Sequence, residues 1–230
     1  MPDSSCIPSF MLLLPGYPPL TTIIPFPTLN KFLPLLHRYI LPSSPSSAIL
    51  PVGKLSYTGL KKALQWREAE APISLKFGEM IKMHAALSFL GASPSSEAVK
   101  LLSHLIDSHF AHGLAQSQFE ELWGMRSLPF TEPFLKTMVK KLALIADSVD
   151  RHTNRADFAQ RVTKEDGYAE NIGRCMAVLR WVCTVEDLEK RVENMRTELE
   201  KDGGKKVKGK KGKKLRTKGL RRVEIVSRLG

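Results

Sequence analysis

Three histidines crowd one short stretch of this sequence. His104, His109 and His112 lie within nine residues, with Asp107 among them. His109 and His112 are three apart, neighbours on a helical face, and imidazoles at that spacing are able to share a divalent metal. A structural zinc site needs four ligands, however, and the chain has neither an HExxH pattern nor a CxxC pair. His109 also falls on an apolar stripe. The expectation is therefore one histidine at a core edge, two on the surface, and no metal.

The other chemistry-bearing residues are equally scattered. Cys175 and Cys183 are eight residues apart on one predicted helix, about 12 Å at 1.5 Å per residue, too far to bridge. Buried thiols are the usual explanation of such positions. Neither GxxxxGK[ST], GxGxxG nor GxSxG occurs. The acidic pairs Glu120-Glu121 and Glu186-Asp187 lie on polar helix faces. Trp66, Trp123 and Trp181 sit on or beside apolar stripes, as core anchors do. The residues give no reason to expect an enzyme or a cofactor.

One segment does carry a chemical signal. Residues 205–222 read KKVKGKKGKKLRTKGLRR, with eleven cations in 18 positions. They are Lys205, Lys206, Lys208, Lys210, Lys211, Lys213, Lys214, Arg216, Lys218, Arg221 and Arg222. Repulsion among them and the entropy of the interspersed glycines oppose folding, so residues 203–230 are expected to form a disordered basic tail. Such a run suits an import receptor or the phosphates of a nucleic acid. It contains no aromatic residue, so base stacking is not available to it. No amphipathic face or lipidation motif joins it, which argues against a membrane role.

Charge is confined to that end. The chain of 230 residues has a net charge of +12, and residues 201–230 alone hold 13 basic and two acidic side chains. What precedes is nearly neutral. Three cysteines without paired spacing (Cys6, Cys175 and Cys183) fit a reducing compartment. The apolar run Phe10–Leu14 stops at Pro15 and lacks a basic flank, so it does not read as a secretion signal. No run approaches the roughly 20 apolar residues that span a bilayer. The expected location is the nucleus, with the cytoplasm as the alternative.

The elements that must position these residues follow from proline and periodicity. Eleven of the 15 prolines fall in residues 1–51. Residues 1–54 show no period-two run and read as a flexible Pro/Ser-rich apolar segment, not independently folded. Residues 55–202 read as one helical domain. Spacings of three and four predict helices over 56–71 and 75–90. A third starts at Ser93-Pro94 with Ala98, Leu101, Leu102, Leu105, Ile106, His109 and Phe110 inward. Short helices are predicted near Ser117 and Asn154, with a longer one from Thr131. A last long helix runs from about Tyr168 to about Lys201 and stops at Gly203-Gly204. Six or seven helices make an all-α fold.

The last helix also bears a heptad: Val178, Trp181, Val185, Leu188, Val192, Met195 and Leu199. In a parallel homodimer it would set Arg191 against Arg196 of the partner, which repels. The face is expected to pack on its own domain or on a different partner, and homo-oligomerisation is left open.

Three stretches carry a family resemblance: ALQW (63–66), EMIKMHAALSFLG (79–91) and FEELWGMRSLPFTEPFLKTMVKKLA (119–143). Over about residues 60–175 the chain resembles the helical rear half of fungal BTB/POZ-like proteins of unknown function. The resemblance implies a protein-interaction module of adaptor type. It also implies a front half with strands, where this sequence has its Pro-rich segment. Dimerisation and ubiquitin-ligase recruitment are therefore not carried over. The expected function is a non-enzymatic protein-interaction domain with a nuclear-targeting tail and a protein partner. The alternative is a nucleic-acid-binding protein that uses the tail as a phosphate clamp.

Overall fold

The computed structural model describes residues 10–69, 74–155, 158–164 and 167–206. Among them are four short strands, nine α-helices and one 3-10 helix, so the chain is mostly helical with a small sheet near its N-terminus. The expected all-α class is corrected by that sheet. The Pro-rich front, expected not to fold independently, supplies all four strands, and these share one apolar core with the helices.

The strands are β1 (Phe10–Leu13), β2 (Leu20–Thr22), β3 (Ile40–Leu41) and β4 (Ser44–Ile49). Their order is β2-β1-β4-β3; β2 and β3 are antiparallel to their neighbours, and β1 runs parallel to β4. Leu12 pairs with Leu20 on one side and Ala48 on the other, and all three are buried. Phe10, Leu12 and Leu14 face inward, while Met11 and Leu13 are half-buried. The parallel pair needs a crossover. It is made by α1 (Phe26–Phe32) and the 3-10 helix Pro34–Tyr39, which bury Leu29, Leu33 and Leu36 completely.

Proline density hid this layer from a periodicity argument, yet the prolines sit where their geometry fits. Pro15 is in the turn closed by the Tyr17 N–H and the Leu14 carbonyl (3.0 Å). Pro25 precedes α1, Pro27 lies in its first turn, and Pro34 opens the 3-10 helix. Each is a position where a fixed φ and a missing donor cost little. The strands, two to six residues long, are too short for a period-two signal to rise above turn residues.

The helices follow as α2 (Tyr57–Ala69), α3 (Phe77–Phe89), α4 (Glu97–His112), α5 (Gln116–Gly124), α6 (Glu132–Thr153), α7 (Phe158–Lys164), α8 (Tyr168–Thr184) and α9 (Glu186–Lys206). Hydrogen bonds help fasten the front layer to them. Buried Thr22 donates to the Glu68 carboxylate on α2 (2.7 Å), and the Leu35 N–H donates to the Leu90 carbonyl beyond α3 (2.8 Å). Helix α2 approaches α3 so closely at Gly59 that a Cβ there would lie 2.2 Å from the Lys82 carbonyl oxygen.

Several helix boundaries differ from the sequence expectation. Helix α4 has Ser96 rather than Ser93 at its N-cap, because Ser93 instead closes a turn, accepting from the Ser95 N–H at its hydroxyl and from the Ser96 N–H at its carbonyl. Leu102, Ile106 and Phe110 are buried as expected, but Leu101 and Leu105 are 40% and 38% exposed. The predicted helix from Tyr168 is two helices. Val185 is extended (φ −120°), and the Thr184 hydroxyl turns back to the Trp181 carbonyl (2.7 Å). Helix α9 then opens with Glu186, Asp187 and Glu189, which suit the positive end of the helix dipole. It runs on through Gly203-Gly204 to Lys206. Two glycines cost about 1 kcal/mol each in a helix, which a helix already nucleated is able to carry.

The heptad face is internal. Val178, Leu188 and Val192 are buried, and Trp181, Val185, Met195 and Leu199 pack beside them against the same core, with α8 and α9 both lying on α6. One contiguous apolar core extends from Phe10 in β1 to Val192 in α9.

Candidate interaction surfaces

The basic tail was the principal sequence candidate. Of its eleven cations, Lys205 and Lys206 are the last two residues of α9. Lys208, Lys210, Lys211, Lys213, Lys214, Arg216, Lys218, Arg221 and Arg222 lie outside the described residues.

The histidine cluster disperses. His104 is exposed. His109 is half-buried, with its ring 5.5 Å from that of Phe77, and His112 Nδ1 pairs with the Ser108 carbonyl at 2.8 Å. No group of three or more His, Cys, Asp or Glu able to hold a metal occurs among the described residues. Cys175 is half-buried, and burial pushes its thiol pKa up, away from a reactive thiolate. Cys183 is exposed.

A histidine outside that cluster is the more unusual one. His84 on α3 meets the Phe134 ring edge-on at 4.9 Å, and its Nδ1 is buried without a hydrogen-bond partner. Burial holds its pKa below the ordinary value.

The α6–α9 seam is the most charged interior feature. Arg196 of α9 is only 12% exposed and reaches Asp147 (2.9 Å) and Asp150 (2.6 Å) on α6, and Glu193 (3.3 Å) on its own helix. Burial by itself would lower its pKa, but the hydrogen bonds to Asp150 and Asp147 prevail and raise it. Further along the seam, Arg191 reaches Glu132 at 3.5 Å and lies 5.6 Å from the centre of the Trp123 ring, over which Arg126 also lies at 5.2 Å. Beside it opens a shallow cleft of about 260 Å³, lined by Glu132, Lys136, Val139, Arg191, Asn194, Met195 and Glu198. Both signs of charge line it, so it selects neither.

A different surface lies on the front layer. Tyr17, in the loop between β1 and β2, stacks on Tyr57 at the start of α2, with centroids 4.9 Å apart and planes 9° from parallel. Tyr17 remains 56% exposed. Lys54 and Lys61, three residues before and four after Tyr57, are exposed. This surface is not legible from periodicity because residues 1–54 show no period-two run from which a strand is placed. Two signals in the sequence pointed to it: the Leu14-Pro15-Gly16-Tyr17 turn, and the absence of any acidic residue between Asp3 and Glu68.

Among the described residues, no helix is long and apolar enough to cross a membrane. Comparison with family models, with curated proteins and with solved structures gives no match for this chain.

Proposed function

We propose that this protein is a non-enzymatic protein-interaction module of the BTB/POZ-like, adaptor type, carrying a basic nuclear-targeting tail at residues 203–230. The observation that supports the first half is the four-stranded sheet packed ahead of the helices. The resemblance of residues 60–175 to BTB/POZ-like proteins implies strands in that place, and the sequence pattern had offered none. The tail supports the second half by composition: eleven cations in 18 residues, spaced by Gly and Leu into two clusters.

The test compares the tagged full chain with two full-length variants. One scrambles residues 205–222 at constant charge; the other replaces the eleven cations by Gln. An import receptor seats particular lysines in particular pockets, so both variants should lose nuclear enrichment. Accumulation of the Gln variant above passive diffusion would refute nuclear targeting by the tail. Proteins co-purifying with the wild type should persist on the Gln variant if the folded part is the interaction module; loss of all of them would overturn the adaptor reading.

The same cation density favours one alternative, a tail that clamps RNA or DNA. Counterion release counts charges and ignores their order. Under that reading the scrambled variant keeps its nucleic-acid affinity and the Gln variant loses it.

A further inference from the structure

The 64 residues from Ser4 to Arg67 contain no Asp or Glu but include Lys31, Arg38, Lys54, Lys61, Lys62 and Arg67. Among the described residues, Lys62 alone of these has a carboxylate partner, Glu79 at 3.3 Å. The front layer and the first three turns of α2 therefore contribute cations and no carboxylates, the first acidic side chain on α2 being Glu68 near its end, where it accepts from Thr22. The Tyr17–Tyr57 stack joins these two parts. Its geometry is fixed by local structure. The Pro15-Gly16 turn, with Gly16 at φ +87°, presents Tyr17. The Ser56 hydroxyl accepts the Gly59 N–H (3.3 Å) at the start of α2 and so sets Tyr57. Lys61 is one turn beyond Tyr57 and shares its face.

A loop-to-helix packing contact accounts for the stack itself. It does not account for an aromatic ring left more than half exposed within a 64-residue stretch that has no carboxylate of its own. We propose that this surface binds single-stranded nucleic acid. An unpaired base stacks on the open side of Tyr17, continuing the Tyr57–Tyr17 pile, while backbone phosphates pass Lys54 and Lys61. A single strand is selected because bases in a duplex already have both faces covered. The tail has no aromatic residue and offers charge alone, so the platform supplies what the tail lacks. The proposal does not rest on the adaptor reading and stands or falls separately from it.

The experiment is fluorescence anisotropy with a labelled uridine oligonucleotide of about 20 nucleotides. It uses the full-length chain with its own tail and the full-length variant with the eleven tail cations changed to Gln. In the Gln background, Tyr17→Ala should weaken binding by about fivefold to a hundredfold, the range that loss of one stacked base gives. The double variant Lys54→Glu with Lys61→Glu should flatten the salt dependence by about 0.7 per lost phosphate contact. Lys54 and Lys61 are exposed, so melts of their double variant should overlay those of the parent, and Tyr17→Ala, which gives up one stacking contact, should keep a cooperative melt within a few degrees. An equal-length duplex or polyglutamate of equal charge should displace the oligonucleotide poorly. Three results would each overturn the proposal: unchanged affinity for Tyr17→Ala, no binding in the Gln background, or equal displacement by polyglutamate or duplex.

Discussion

Arg196 shows how much of this molecule's order depends on single side chains. Its guanidinium satisfies two carboxylates on α6 from a site that is 12% exposed. Replacing it by Met would keep most of the stem packing but leave Asp147 and Asp150 facing each other with no cation between them. A loss of about 1–3 kcal/mol is expected, read as an earlier denaturation midpoint. An unchanged midpoint would mean that solvent already screens the cluster. His84 gives a prediction with a definite sign. Its pKa is lowered in the folded chain, so below the ordinary value of 6.5 the unfolded chain takes up a proton that the folded chain resists. Stability tied to His84 is therefore complete above that pH and declines as pH falls, levelling off below the folded-state pKa. Thermal melts from about pH 7.5 to about 5.5 should fall less steeply for His84→Leu than for wild type. Parallel curves would show that the ring gains a proton partner on protonation.

At the scale of elements, the close approach of α2 and α3 sets two effects against each other. Gly59 lies inside a helix, where Ala is favoured by about 1 kcal/mol. The added Cβ would also meet the Lys82 carbonyl at 2.2 Å, a backbone atom that cannot rotate away. Forcing the helices apart costs about 1–3 kcal/mol, so Gly59→Ala should destabilise on balance, visible as a lower melting temperature. A stabilised variant would show that the pair separates freely. The same elements mark what the sequence could disclose. The stripes of α3, α4 and α6 were legible because each buries a regular set such as Leu102, Ile106 and Phe110. The break at Val185 was not, because the heptad runs straight across it. Apolar spacing alone does not distinguish a straight helix from two helices lying on the same neighbour; the acidic first turn of α9 was the available clue. The sheet was hidden by strand brevity and proline. The Tyr17–Tyr57 contact joins residues 40 apart and requires that sheet to exist.

The whole molecule turns on whether the front layer belongs to the fold, and its packing predicts that it cannot be trimmed without loss. Phe10, Leu12, Leu14, Ile24, Leu29, Leu33, Leu36 and Leu50 are each at most 7% exposed and share one core with α2, α3 and α6. Burying a side chain of this size contributes about 1.5–3 kcal/mol, so these eight represent a gross term on the order of 15 kcal/mol. That equals or exceeds the whole net stability of an ordinary domain, about 5–15 kcal/mol. Removing residues 1–54 would take away that term and also strip Glu68 of α2 of its bond from Thr22 and the Leu90 end of α3 of its bond from the Leu35 N–H. The remaining chain should lose its cooperative thermal transition and bind a hydrophobic dye, as chains without fixed packing do. A sharp melt within a few degrees of the full chain would show instead that the helices close over the gap. Substitution is the gentler version of the same test. Leu12→Ala, at the centre of the sheet with neighbours on both sides, should cost about 2–5 kcal/mol if the layer is integral, as much as Leu102→Ala in the middle of α4. The two positions sample the front and the helical part of one apolar cluster, so comparable losses would establish that the chain unfolds as a unit. A large loss for Leu102→Ala alone would return the front layer to the status of an appendage.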